Sequence, residues 1–171
     1  IAYIDDFETA KRIIPVGVNY TGWKDLTVPE NLNIIGGLSR LERMDYKAKS
    51  LWFTITPSDV TVDSIYGGRK QVARSDQQIT VLDYVFLPDT PGTYNWTPDL
   101  VQKDNNWGGM QRLLSSTANN LVEQNIEYVE FWMQIKNAPA GATLNLDLGV
   151  ISEDVIPNGQ LNTEDKNLND A

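Results

Sequence analysis

The alternation in residues 128–150 constrains the fold more than any other feature of the chain. Val129, Phe131, Met133 and Ile135 take every second position, and Tyr128, Glu130, Trp132 and Gln134 take the positions between. Beyond Pro139 and Gly141, Leu144, Leu146, Leu148 and Val150 alternate with Asn145 and Asp147. A strand has a side-chain period of two, so each segment predicts a long strand with one wholly apolar face. The proline and glycine predict the short loop that joins them. An apolar sheet face has to be covered, and a second sheet is the usual cover.

The rest of the chain supplies candidate strands for that second sheet. AYIDDFE (2–8) reads as a short strand ending in carboxylates. Residues 45–56 read as a strand with Leu51, Phe53 and Ile55 on one face, stopped by Pro57. Residues 77–87 are apolar on both faces, which predicts a central strand buried on both sides and ended by Pro88, Pro91 and Gly92. Residues 110–116 are strand-like after the turn Asn105-Asn106-Trp107-Gly108-Gly109. Residues 15–37 read as a long surface loop with Trp23 tucked inward, and 58–76 as loop with room for a helical turn. Strong helical periodicity is lacking. The expected class is all-β, a jelly-roll-like antiparallel β-sandwich over residues 1–155, followed by a polar loop or linker at 156–171. At 171 residues, one domain is expected, burying about two-thirds of its unfolded surface.

Charge and composition narrow the chemistry. With 14 basic and 23 acidic residues, the net charge of −9 repels nucleic acid. Cysteine is absent, which removes disulfides and thiol nucleophiles, and histidine is absent, which removes the commonest general base and zinc ligand. No run of 18 apolar residues predicts a membrane-spanning helix. The chain opens directly in strand-like sequence with no initiator Met or signal peptide, as expected of a piece of a longer or processed precursor.

Asp5, Asp6 and Glu8 at one end and Asp147 on a late strand form a candidate calcium site, if the first and last strands meet. Asp6 and Glu8 share a face, which makes them and Asp147 the better set; the competing reading is solvated acids at a strand end. The tail Asp165-Lys166-Asn167-Leu168-Asn169-Asp170 begins like a calcium loop, but Asp170 stands where that loop needs glycine. Tyr128, Glu130, Trp132 and Gln134, joined by Trp52 and Tyr46, form a candidate sugar-binding face, since pyranose C–H surfaces stack on flat rings and polar neighbours fix hydroxyls. The competing reading, which the sequence favours, is that these rings pack under loops such as the one carrying Trp23. Glu130, Asp147 and Asp83 offer carboxylate pairs for glycoside hydrolysis, but that chemistry needs a separation of roughly 5–9 Å that spacing does not fix. A chain this acidic supplies such pairs by chance, and no enzyme is expected.

Several blocks, in order, resemble the SprA/Sov family, the giant outer-membrane proteins of type IX secretion and gliding motility. They are AYIDDFE, YKAKSLWFTITP, PGTYNW, NNWGGMQRLLSS, NIEYVEFWM and LNLDLGVISEDVIPNGQLNTEDKN. The resemblance covers nearly the whole chain. It implies a soluble insertion of a protein-conducting translocon, because the lipid-facing strands and aromatic girdles of barrel wall are missing from this sequence. It also implies a location in the cell envelope, associated with the outer membrane on the cell-surface or periplasmic side. Other translocon components and secreted cargo proteins are the implied partners. The DDFE start alone also resembles jelly-roll carbohydrate-binding modules, which implies a glycan partner instead.

Overall fold

A computed structural model describes residues 14–29, 37–98, 100, 105–114, 126, 128–149 and 156–157. The described elements run β1 (Lys24–Asp25), α1 (Arg40–Met44), β2 (Ala48–Phe53), α2 (Val62–Tyr66), β3 (Asp83–Pro91) and β4 (Met110–Gln111). Both ladders are antiparallel. One pairs Leu51 with Val85, Trp52 with Tyr84 and Phe53 with Asp83, and is interrupted by a bulge between Ala48 and Lys49; the other pairs Lys24 with Gln111 and Asp25 with Met110. The fold is β-rich with antiparallel sheets and few helices. The described ladders do not close into a sandwich.

The two helices are too short for a periodic stripe and are specified by their ends instead. In α1, Ser39 Oγ accepts from the Glu42 amide while the Glu42 carboxylate accepts from the Ser39 amide, which closes a capping box. These bonds from Ser39 hold the Glu42 carboxyl below its ordinary value. Thr61 and Ser64 form the corresponding box of α2, and Gly67, at φ 58, ends that helix in the left-handed conformation that glycine adopts without penalty.

Trp107 is the centre of the core. It packs on Val28 and Met44, with Leu26, Leu38 and Tyr46 around them. Its indole Nε1 donates to the Arg43 carbonyl at 2.8 Å. Lys47, bridged to Trp107 in a parallel arrangement, lies beneath, its ammonium 5.8 Å from the indole centroid. The buried Asn95 amide donates to the Lys47 carbonyl at 2.6 Å and to that of Asp45 at 3.2 Å, so buried backbone acceptors here are satisfied. The two glycines after Trp107 allow this packing. A Cβ on Gly108 would stand 2.5 Å from Ser50 Oγ and 2.8 Å from the Phe86 ring, and one on Gly109 would stand 2.7 Å from Leu26. The Asn-Asn-Trp-Gly-Gly stretch thus joins the core to the inner face of the β2–β3 ladder.

Several sequence expectations are corrected. The strand expected over 77–87 begins at Asp83 and runs through Pro88 to Pro91. It has β2 as its one ladder neighbour among the described elements, and Tyr84, Val85 and Leu87 are exposed, so it is not a central strand buried on both sides. Pro88 is tolerated because it falls in the irregularity between the Lys49–Leu87 and Ala48–Pro91 pairs, where it has no register partner. The 15–37 stretch is more than loop: it contributes β1 and places Trp23 half-buried, with its Nε1 donating to the Gly17 carbonyl.

The largest departure is at 128–149. Neither leg belongs to a ladder among the described residues. The chain reverses where the Ala142 amide donates to the Pro139 carbonyl at 3.1 Å and Gly141 takes φ +83. The turn expected from Pro139 and Gly141 is therefore present, but the flanking strands are not paired. The apolar positions expected to be covered are exposed: Val129, Phe131, Met133, Ile135, Leu144, Leu146 and Leu148 are 44–66 % exposed. Residues 2–8 and nearly all of 156–171 lie outside the described residues, as does Val150.

Candidate functional site

α2 ends on Tyr66 because Gly67 breaks the helix there, and this leaves the phenol ring at the helix end. The Trp132 indole meets that ring edge-on, with centroids 5.5 Å apart and planes at 69°. Lys70, four residues beyond Tyr66, sets its ammonium 5.1 Å from the same ring. An edge-to-face pair with a cation over one ring is favourable on both counts, by about 0.5–1.5 and 0.5–1 kcal/mol respectively at exposed sites. The contact buries little of the indole, which stays 65 % exposed. The two rings form a corner in which the indole is exposed and the half-buried phenol ring is covered by Lys70.

Of the expected sugar-binding residues, Tyr128, Glu130, Trp132 and Gln134 are all exposed along the first leg. Tyr46 and Trp52 do not join them: Tyr46 packs against the Trp107 cluster and Trp52 sits opposite Tyr84 in the β2–β3 ladder. Tyr66, with Lys70 over its ring, does not follow from the sequence pattern, because a short capped helix gives no periodic signal that would bring it to Trp132. Trp96, 89 % exposed, is a further open indole.

Asp5, Asp6 and Glu8 lie outside the described residues, and so does the calcium-loop-like tail at 165–170. Asp147 is exposed on the second leg. Among the described residues, no group of three or more acidic side chains comes together as a metal site. Of the carboxylates weighed for hydrolysis, Glu130 and Asp147 sit on the exposed legs and Asp83 opens β3 opposite Phe53.

A second polar cluster lies beneath β2. Lys47, 1 % exposed, is paired with Asp25 at 2.7 Å, while Ser50 Oγ and Tyr84 Oη are 2.8 Å apart. Burial pushes the Tyr84 hydroxyl above its ordinary value, the Ser50 hydrogen bond opposes that rise, and the Asp25 charge adds to it. Such a phenol is held protonated, and the lysine is held by its counter-ion. The cluster acts as a tie between β1, β2 and β3.

No protein-family model, no curated protein and no solved structure matches the chain. Among the described residues, no helix is long and apolar enough to cross a membrane.

Proposed function

We propose that this chain is a non-catalytic structural domain of a type IX outer-membrane translocon, shaping the conduit or contacting partner and cargo proteins in the cell envelope. One structural observation supports it: the chain carries long alternating segments whose apolar faces are left open. An autonomous enzyme or small-molecule binder has no use for such faces, whereas a module fitted into a larger β-assembly does. The ordered block resemblance to the SprA/Sov family points the same way. On this reading the legs at 128–135 and 142–148 become strands of a jelly-roll-like sandwich once covered. Deleting residues 1–155 from the parent translocon tests it: secretion and assembly should be lost, and normal secretion without the segment would refute the proposal.

The Tyr66–Trp132 corner favours a second reading, a carbohydrate-binding module. Affinity electrophoresis against a panel of polysaccharides separates the two. Retardation that disappears in Trp132→Ala, with the fold intact by circular dichroism, would promote the glycan reading over the first.

A further inference from the structure

Tyr66 closes α2, and two left-handed glycines follow it, Gly67 at φ 58 and Gly68 at φ 73. They fold the chain back, so that the Arg69 amide donates to the Tyr66 carbonyl at 3.2 Å and the Lys70 ammonium reaches the Tyr66 ring. The loop is thereby fastened beside the Tyr66–Trp132 corner. Its charge is unlike that of the rest of the chain. Residues 64–75 hold Arg69, Lys70 and Arg74 and no carboxylate, in a protein with 23 acidic and 14 basic residues. All three cations are exposed. Among the described residues, none of the three has a carboxylate partner. The Trp132 indole and the Lys70 ammonium lie 5.5 Å and 5.1 Å from the centroid of the same Tyr66 ring, so one ligand can touch both.

We propose that this corner binds an anionic polysaccharide, one whose sugars carry carboxylates. The proposal rests on the carbohydrate reading above and names the ligand for it. A pyranose ring stacks by its C–H face on the Trp132 indole, which is 65 % exposed. A uronate carboxylate on that sugar or the next accepts from the Lys70 ammonium, and the planar fork of Arg69 takes another. The net charge of −9 does not forbid this. At 0.1 M salt the screening length is about 10 Å, so the ligand responds to the charges close to it. Those are the cations of the loop, opposed by Glu130, two residues before Trp132, and by Asp63, whose Oδ1 would stand 3.9 Å from a Cβ on Gly68. An acidic protein segment would use the cations but has no need of an open indole beside them. The pairing of the two favours a charged sugar.

The test passes the full chain over three immobilised polymers. Polygalacturonate carries both ring and charge, its methyl ester keeps the ring and removes the charge, and poly-glutamate keeps the charge and removes the ring. Retention on polygalacturonate alone is expected, weakening as salt rises. Trp132→Ala should weaken it about tenfold, as should Arg69→Gln combined with Lys70→Gln, with the circular dichroism unchanged. Glu130→Gln should strengthen it, by removing an opposing charge. Equal retention on the methyl ester, lost in Trp132→Ala, upholds the carbohydrate reading and overturns the anionic ligand. Retention on poly-glutamate that survives Trp132→Ala overturns the proposal, because the cations would then serve an acidic protein. Absence of retention on polygalacturonate overturns it as well, while the polysaccharide panel described above still decides the wider reading.

Discussion

The Lys47 ammonium, 1 % exposed, lies 2.7 Å from the Asp25 carboxylate, which is itself only 26 % exposed. Asp25→Asn strands that cation. Breaking a buried pair costs about 3–5 kcal/mol, and the partial exposure of Asp25 brings the expected loss to roughly 2 kcal/mol. Lys47→Met should cost less than Asp25→Asn, because it removes the charge and keeps an apolar stem against Trp107. Urea denaturation of both variants measures the order, and the reverse order would disprove this account.

Gly108→Ala forces a methyl group against Ser50 Oγ and the Phe86 ring, at the 2.5 and 2.8 Å approaches given above. Overpacking of this kind costs about 1–3 kcal/mol. Ser50→Ala on the same background should recover only part of the loss, since the Phe86 contact remains. Thermal melts of the single and double variants decide the matter.

The Tyr84 hydroxyl titrates above the ordinary tyrosine value. A group whose folded value is raised contributes stability that is fully present below the unfolded value and is lost as pH rises through the folded one. Stability should therefore fall on the alkaline side, as Tyr84 ionises. Ser50→Ala removes the hydrogen bond that lowers the value, so its phenolate should appear at still higher pH. Ultraviolet absorbance near 295 nm follows the titration; a shift to lower pH in Ser50→Ala would contradict the assignment.

Glu42 behaves in the opposite sense. Its carboxyl is held low by Ser39, so its contribution to α1 is present above the ordinary glutamate range and is lost as pH falls through the depressed value. Ser39→Ala should raise the Glu42 titration only part of the way back, since the backbone amide of residue 39 still donates to the carboxylate, as read by nuclear magnetic resonance of the side chain.

Calcium provides a fifth test, on residues the sequence singled out. If Asp6, Glu8 and Asp147 converge, the ion stabilises the fold by about 2.7 kcal/mol at a hundredfold excess over its dissociation constant. Melting midpoints with calcium and with chelator should then differ in wild type and coincide in Glu8→Gln. Identical wild-type midpoints remove the site.

What could be read from sequence was the period-2 pattern. The face shared by Leu51, Phe53 and Ile55 and the reversal at Pro139–Ala142 follow from local alternation and turn chemistry, which do not depend on the rest of the chain. The ladder neighbour of β3 did not follow, because apolarity on both faces of 77–87 suggests burial without saying what does the burying. α1 escaped because five residues hold little more than one turn of periodicity, whereas α2 falls in the 58–76 stretch where a helical turn was expected. The core role of Trp107 was hidden by its neighbours, since Asn-Asn-Trp-Gly-Gly has the composition of a turn. Tyr66 meets Trp132 across more than sixty positions of sequence, a distance over which no local pattern carries information.

The two prolines of β3 bear on how far any assembly of this chain can grow. A strand that ends a sheet is a template on which further strands can be laid without limit. Here Pro88 and Pro91 offer no donors to a newcomer, and the Pro88 carbonyl is already occupied by the Asn106 amide at 2.8 Å. Addition of strands beside β3 is thus blocked over its second half. A strand-like partner is thus turned away from residues 88–91 and toward the proline-free half of β3, so lateral growth beside this strand, where it occurs, should be short.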